Sequence, residues 1–303
     1  MLYYYIKLYI NIKEVKLINL FIEILNIIFN ISLNTLILFF LIIGFLIIQG
    51  LIIGYLEKLS MKNIYSSIGY IGILITGLGV CLHETSHLLM AKLFGFKIKD
   101  VKFFRPVQGA KDGVLGYVNY SYNPKNILHK IGLFFVGFAP ILGGILGLVL
   151  CIIIFLPNTF NNVQTQLNVI LSYDNVFSLR FFQNQLFLSF SLFKSLFTLQ
   201  NFKNITFWIF LLLAISISSH TALSIADLKS SVKGIKTIFI CLFLLNIVFY
   251  ILNINIYNHM FFIYKFDALF ITFMNISICF SILHLTITYI IKLSISIFKK
   301  FIY

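Results

Sequence analysis

The sequence predicts an all-α polytopic membrane protein with about six transmembrane helices. Hydrophobic residues make up 60% of the 303 residues and the mean hydropathy is +1.00, far outside the soluble range. Runs of about 20 apolar residues recur along the chain, the length that crosses a bilayer as a helix. The runs are continuous rather than alternating, which argues against a β-barrel.

In chain order, residues 1–30 mix Tyr, Ile and Leu with Lys7, Lys13 and Lys16, the pattern of an interfacial amphipathic anchor. No small-residue cleavage site follows, so the signal-sequence reading is the weaker one. Residues 31–303 read as one membrane-embedded domain, because no internal repeat and no Pro- or Ser-rich linker divides them. Within it the apolar runs place spans at 33–56, 70–94, 129–156, 204–222, 236–256 and 267–291.

The net charge of +14 needs no nucleic-acid partner; in a membrane protein it reflects cytoplasmic loops. Lys97, Lys99, Lys102, Arg105, Lys111 and Lys125 follow the second span, Lys229 and Lys233 the fourth, and Lys292, Lys299 and Lys300 the sixth. These segments and both termini are therefore expected in the cytoplasm, in a multi-pass protein of the cell membrane whose first partner is the lipid bilayer. The 157–203 segment carries only Arg180, Lys194 and Lys203 and suits the outer side. The four cysteines, Cys81, Cys151, Cys241 and Cys279, all fall in apolar stretches and form neither a disulfide framework nor a paired ligand set.

The second span contains His83-Glu84-Thr85-Ser86-His87. On a helix, H-E-x-x-H sets two imidazoles at i and i+4 on one face, where they can bind one Zn²⁺ with the Glu as general base. Cys81 points away from that face. The surrounding residues from Ile71 to Phe94 are almost wholly apolar, and ionisable groups at membrane depth are costly enough to imply function. The bland alternative is a His-Glu-His cluster that only hydrogen-bonds neighbouring helices.

A zinc site of this kind needs a third protein ligand. Glu84 is the last Glu in the chain, which leaves Asp100, Asp112, Asp174, Asp227 and Asp267 downstream. Asp174 and Asp267 belong to the outer side, and Asp100 and Asp112 to the basic segment, where salt-bridging or turn roles are expected. Asp227, placed at the cytoplasmic end of the fourth span, lies near the depth of His87 and is the favoured ligand. His220 is the rival. Seven residues before Asp227, it falls two helical turns away on about the same face. It is a candidate ligand, second-shell partner or transition-state donor, or simply a buried His bonded to a neighbouring helix. His129, His259 and His284 have no motif around them and read as structural or interfacial.

His83-Glu84-x-x-His87-x-x-x-Ala91-x-x-x-Gly95-x-x-Ile98 resembles the signature helix of the site-2-protease-type intramembrane zinc metallopeptidases. The resemblance covers about residues 70–230. It implies a small cytoplasmic β-hairpin after the second helix, and Val101–Phe104 and Val114–Tyr122 fit two short strands joined by a turn at Gly109-Ala110-Lys111-Asp112-Gly113. Gly137-Phe138-Ala139-Pro140-Ile141-Leu142-Gly143-Gly144 loosely matches a Gly-Pro motif of the family; a kinked, closely packed helix explains it equally well. The chain departs from the family at the third ligand. Ala226-Asp227-Leu228 stands where Leu-Asp-Gly is usual, and no Asn-Pro-rich stretch precedes it.

The resemblance implies proteolysis of a transmembrane or signal-derived peptide, with zinc polarising water and the scissile carbonyl while Glu84 moves the proton. Two other readings compete: a non-catalytic binding protein that keeps the fold, and a metal transporter using the same ligands. An intact Glu84 argues against the first. The second would want polar residues through the depth of several helices, and the last two spans offer few beyond Asn246, His284 and some Ser and Thr. The charge bias gives a direct test of topology. In a Cys-free background, Lys111→Cys and Lys125→Cys should resist an impermeant thiol reagent in intact cells and label after lysis; labelling from outside would invert the orientation.

Overall fold

The computed structural model describes residues 2–74, 76–171, 179–254 and 261–302. Among these the chain is mostly helical, with one two-stranded antiparallel sheet. Four stretches are long and apolar enough to cross a membrane: Val15–Phe39, Ile127–Phe155, Ile225–Ile251 and Asp267–Lys299. They belong to helices α1 (Leu2–Phe39), α6 (Ile127–Phe155), α11 (Ile225–Ile251) and α12 (Phe261–Ile302).

The other expected spans take different forms. The 33–56 run is shared between α1 and α2 (Phe45–Ile68), joined through a π-helical turn at Phe40–Gly44. The 70–94 run is divided into α3 (Tyr70–Leu74) and α4 (Gly77–Leu93), and α4 has 17 residues. Its polar motif lowers its apolarity and the break before it shortens it. The 204–222 run is α10 (Ile205–His220), an apolar helix of 16 residues. The N-terminal segment, expected to be interfacial over 1–30, is helical from Leu2 and continuous with the apolar stretch that ends at Phe39. The 157–203 segment contains α7 (Pro157–Leu171), α8 (Leu179–Leu196) and α9 (Leu199–Phe202).

Helix α6 is the hub. It packs against α4, α10 and α11, and α12 packs against α2, α8 and α10. Along α6, Ile141, Ile145 and Leu148 are fully buried, meeting Phe207 and Phe210 of α10 and Phe273 and Phe280 of α12 in one apolar core. The opposite face of α6 presents Leu146, Leu150 and Ile154, and α1 and α11 are exposed over most of their apolar length, as surfaces in contact with lipid are. Glycines on α6 admit neighbouring side chains where a Cβ would collide with them: Gly143 receives Ser86 of α4, and Gly144 receives Thr221 beyond α10.

Helix α4 ends in a Schellman motif. Gly95 takes the left-handed conformation at φ 72°, Gly95 N–H donates to Lys92 O at 3.0 Å, and Phe96 N–H donates to Ala91 O at 2.8 Å. This turn sends the chain into strand β1 (Lys97–Lys102), which pairs antiparallel with β2 (Tyr117–Ser121). A hairpin thus stands where one was expected, with shifted strands. Val101↔Val118 are in register, and a bulge lies between Ile98 and Asp100. The expected turn at 109–113 is instead the end of a short helix, α5 (Pro106–Asp112), capped by left-handed Gly113. Pro106 at its first turn has the fixed φ that starts a helix and lacks an N–H that would go unpaired there.

The α4–α10 contact sets the position of the H-E-x-x-H motif. Gly79 N–H donates to Ser216 Oγ at 2.8 Å, and that hydroxyl donates to Thr76 O at 2.8 Å. A Cβ on Gly79 would run into Ser216 O and come within 2.7 Å of His220 Cδ2. Gly79→Ala should therefore destabilise the fold by about 1–3 kcal/mol, the usual cost of overpacking. Leu78→Ala, at a position 61% exposed, should change little. Thermal unfolding in detergent checks both; equal midpoints for Gly79→Ala and wild type would show that the helices can part without cost.

Candidate metal centre

His83 and His87 lie one turn apart on α4, with their Nε2 atoms 3.1 Å from each other. Each ring is fixed from behind. His83 Nδ1–H donates to the carbonyl of His220 at 2.8 Å, and His87 Nδ1–H donates to the carbonyl of Val136 at 2.7 Å. A backbone carbonyl can only accept, so both Nδ1 atoms carry the proton and both Nε2 lone pairs face the same point. This is the orientation that metal-bound imidazoles take.

Asp227 completes the group. Its Oδ1 lies 3.0 Å from His87 Nε2, and its Oδ2 lies 3.4 Å from His83 Nε2. Asp227 is the third residue of α11 and forms a capping box with Ser224: Ser224 N–H donates to Oδ2 at 2.8 Å, and Asp227 N–H donates to Ser224 Oγ at 3.1 Å. The capping box both starts the helix and aims the carboxylate.

These three residues are the metal-ligand group found among the described residues, with donor atoms all within 4.8 Å of one another. Tetrahedral Zn²⁺ with bonds of about 2.0–2.1 Å has neighbouring ligand atoms roughly 3.3 Å apart. The two Nε2 atoms are 3.1 Å apart and each has one carboxylate oxygen of Asp227 at 3.0 or 3.4 Å, close to that spacing, although the two contacts use different oxygens. Two imidazole lone pairs and a carboxylate converging on one point are drawn together by a proton or by a metal cation, and two nitrogens with one carboxylate oxygen are donors of the kind zinc takes. Three protein ligands leave the fourth position for water or substrate.

Glu84, next to His83, is buried and lines the same cavity, a cleft of about 800 Å³. The backbone before β2 covers it. Gly116 lies against Glu84 and Val80, where a Cβ would come within 2.7 Å of Glu84 Cγ. The cleft is further walled by residues 113–120, by residues 222–227 and by Gly54 and Glu57 of α2.

His220 also lines the cleft, but the helical argument for it fails. It is the last residue of α10, and a non-helical link at residues 221–224 separates it from α11. Asp227 accordingly opens a new helix rather than closing the fourth span. The two residues meet the cavity because the chain turns between them. His220 makes no contact with Asp227; its backbone carbonyl holds His83, while its ring Nδ1 lies 3.1 Å from Glu57 Oε1 and its Nε2 lies 3.2 Å from Thr76 Oγ1. Glu57, on α2, escaped the sequence reading, which looked for carboxylates only downstream of the motif. The signal available was a lone acidic residue within an apolar run.

The remaining candidates lie outside the group, Asp267 in α12. Asp112 pairs with Arg105 at 2.9 Å, and the Val114 N–H together with that guanidinium holds its carboxyl below the usual range. Asp100 bonds the Tyr117 hydroxyl. Asp112 plays the salt-bridging and turn role expected of it, whereas Asp100 lies in β1 and accepts from a tyrosine of the paired strand. His129 Nδ1 accepts from Asn123 N–H at 2.7 Å, and His284 Nδ1 sits 2.9 Å from Ser219 Oγ. Asp174 and His259 lie outside the described residues. The four cysteines are free thiols.

Comparison with protein-family models, with characterised proteins and with solved structures returned no match.

The geometry orders the effects of substitution on zinc affinity, measured by competition with a chromogenic chelator. Asp227→Ala should remove a ligand and abolish tight binding, and Asp112→Ala should leave it intact. Glu57→Ala should weaken it about tenfold, since Glu57 steadies the residue whose carbonyl orients His83. Wild-type affinity in Asp227→Ala would exclude it as a ligand.

Proposed function

We propose that the protein is an intramembrane zinc metalloprotease of the site-2-protease type, cleaving a transmembrane or signal-derived peptide segment. The observation that carries this reading is the convergence of His83, His87 and Asp227, with one donor atom from each within 4.8 Å of the others, beside the buried Glu84. Zinc held there supplies Lewis acidity to water and to the scissile carbonyl. Glu84 takes the proton of the attacking water and passes it to the leaving amine, a role that requires a carboxylate near the ligands but not among them. His83 and His87 keep fixed tautomers throughout, because their Nδ1 protons are committed to backbone carbonyls.

The substrate in this reading enters as an extended peptide beside β2, and a substrate helix must unwind locally because a helical peptide bond hides its carbonyl. In this reading the chain has six spans, with the α3–α4 pair and α10 completing the four longer ones. The hairpin and both termini face the cytoplasm of a cell-membrane protein. An intact Glu84 disfavours a non-catalytic scaffold, which has no evident use for that carboxylate.

The decisive experiment separates metal binding from turnover. Glu84→Gln should retain zinc and lose cleavage of a model transmembrane substrate by at least about a hundredfold, the lower end of what general acid–base catalysis contributes. His83→Ala and His87→Ala should lose both. Cleavage by Glu84→Gln at the wild-type rate in reconstituted vesicles would sink the protease reading.

A further inference from the structure

We propose that Pro140 is a positioning residue for the metal ligand His87, acting by freeing the carbonyl that orients its ring. The inference rests on the zinc-site reading above and concerns how this chain builds that site.

In an α-helix the carbonyl of residue i accepts from the N–H of residue i+4. For Val136 that donor position is Pro140, which has no N–H. The proline ring also crowds the carbonyl four residues before it and turns it outward. Val136 is buried at 1% exposure, so water does not reach its carbonyl readily, and an unpaired buried carbonyl is costly. The group that satisfies it is His87 Nδ1–H, at 2.7 Å. A helix that continues from Ile127 to Phe155 therefore offers one carbonyl sideways at the level of the metal ligands.

The two histidines are served in parallel ways. His83 is held by the carbonyl of His220, the last residue of α10 and one of the carbonyls that every helix end leaves without an internal partner. The helix end beside His87 is the start of α11, which presents N–H groups rather than free carbonyls. Proline gives the interior of α6 the same chemical feature that the end of α10 has by default.

A structural role for Pro140 predicts a different result from a positioning role. Pro140→Ala restores the N–H at position 140, which can reclaim the Val136 carbonyl. The helix should then be as stable as before or more so, while His87 loses its orienting partner. We expect the thermal midpoint of the metal-free protein to stay level or rise. Zinc affinity should fall roughly 10- to 100-fold, the range for loss of an outer-shell partner. Replacing residue 140 with lactic acid gives alanine's side chain without the N–H and should restore affinity toward wild type. Pro106→Ala, in the hairpin helix, controls for proline removal as such and should bind zinc normally.

His87→Ala and wild type run alongside. If wild type itself binds no zinc, the metal-site reading fails and this proposal with it. If wild type binds, His87→Ala does not, and Pro140→Ala matches wild type, the positioning role of Pro140 alone is overturned. A fall in stability that accompanies the loss of affinity in Pro140→Ala, without rescue by lactic acid, would likewise reduce Pro140 to a packing residue.

Discussion

Two backbone carbonyls without helical partners govern the geometry of the site. Those of His220 and Val136 each accept an imidazole Nδ1–H, and those two bonds decide which nitrogen of each ring is left to face Asp227. Each carbonyl lacks the usual donor four residues on, since residue 140 is proline and Ser224 N–H is given to Asp227 Oδ2, and each is free to turn toward a ring. The close fit of α4 against α10 and α6 brings the rings within reach. The rings reach their carbonyls only because Gly79 lets α4 approach Ser216 and because Gly143 leaves room for Ser86. The buried polar groups are thereby satisfied inside an apolar medium, where each unpaired one would cost several kcal/mol.

The break between α10 and α11 serves the same end from the other side. A continuous helix through residues 205–251 would carry Asp227 past the imidazoles and would keep the His220 carbonyl within its own ladder. The link at residues 221–224 releases that carbonyl and restarts the helix on a Ser224–Asp227 capping box. One carboxylate thus accepts from the backbone at its own helix start and faces both histidines. Such sharing fixes its direction more firmly than a free rotamer could, since helix initiation and ligand placement depend on the same side chain.

Much of this was legible in the sequence, for identifiable reasons. Helical class followed from apolar runs, and the pairing of His83 with His87 from a fixed i, i+4 offset. Asp227 followed from the scarcity of carboxylates, and it does lie beside the two histidines. The route to it was partly mistaken: Ser224-x-x-Asp227 is a capping box and marks a helix start, yet the residue was placed at a helix end. The same oversight put His220 and Asp227 on one helical face. The pairing of Glu57 with His220 was not legible because the two are 163 positions apart in the chain, a distance that no local pattern spans. The hairpin strands slipped because Pro106 begins a short helix inside the connection, which therefore runs over 103–116 rather than the expected 105–113. Span lengths misled where polar motif residues and a short break divide an apolar run.

The candidate ligands and the groups that aim them come from four different helices: α4 supplies both histidines, α11 the carboxylate, and α6 and α10 the carbonyls behind the rings. An ion bound at their meeting point would act as a cross-link between segments far apart in the chain. Its binding energy would then belong partly to folding. At a free concentration a hundredfold above the dissociation constant, one such site adds about 2.7 kcal/mol to the stability of the assembled form. The tertiary structure would become an indirect gauge of zinc supply, and a strong chelator would behave toward this helical bundle as a mild denaturant.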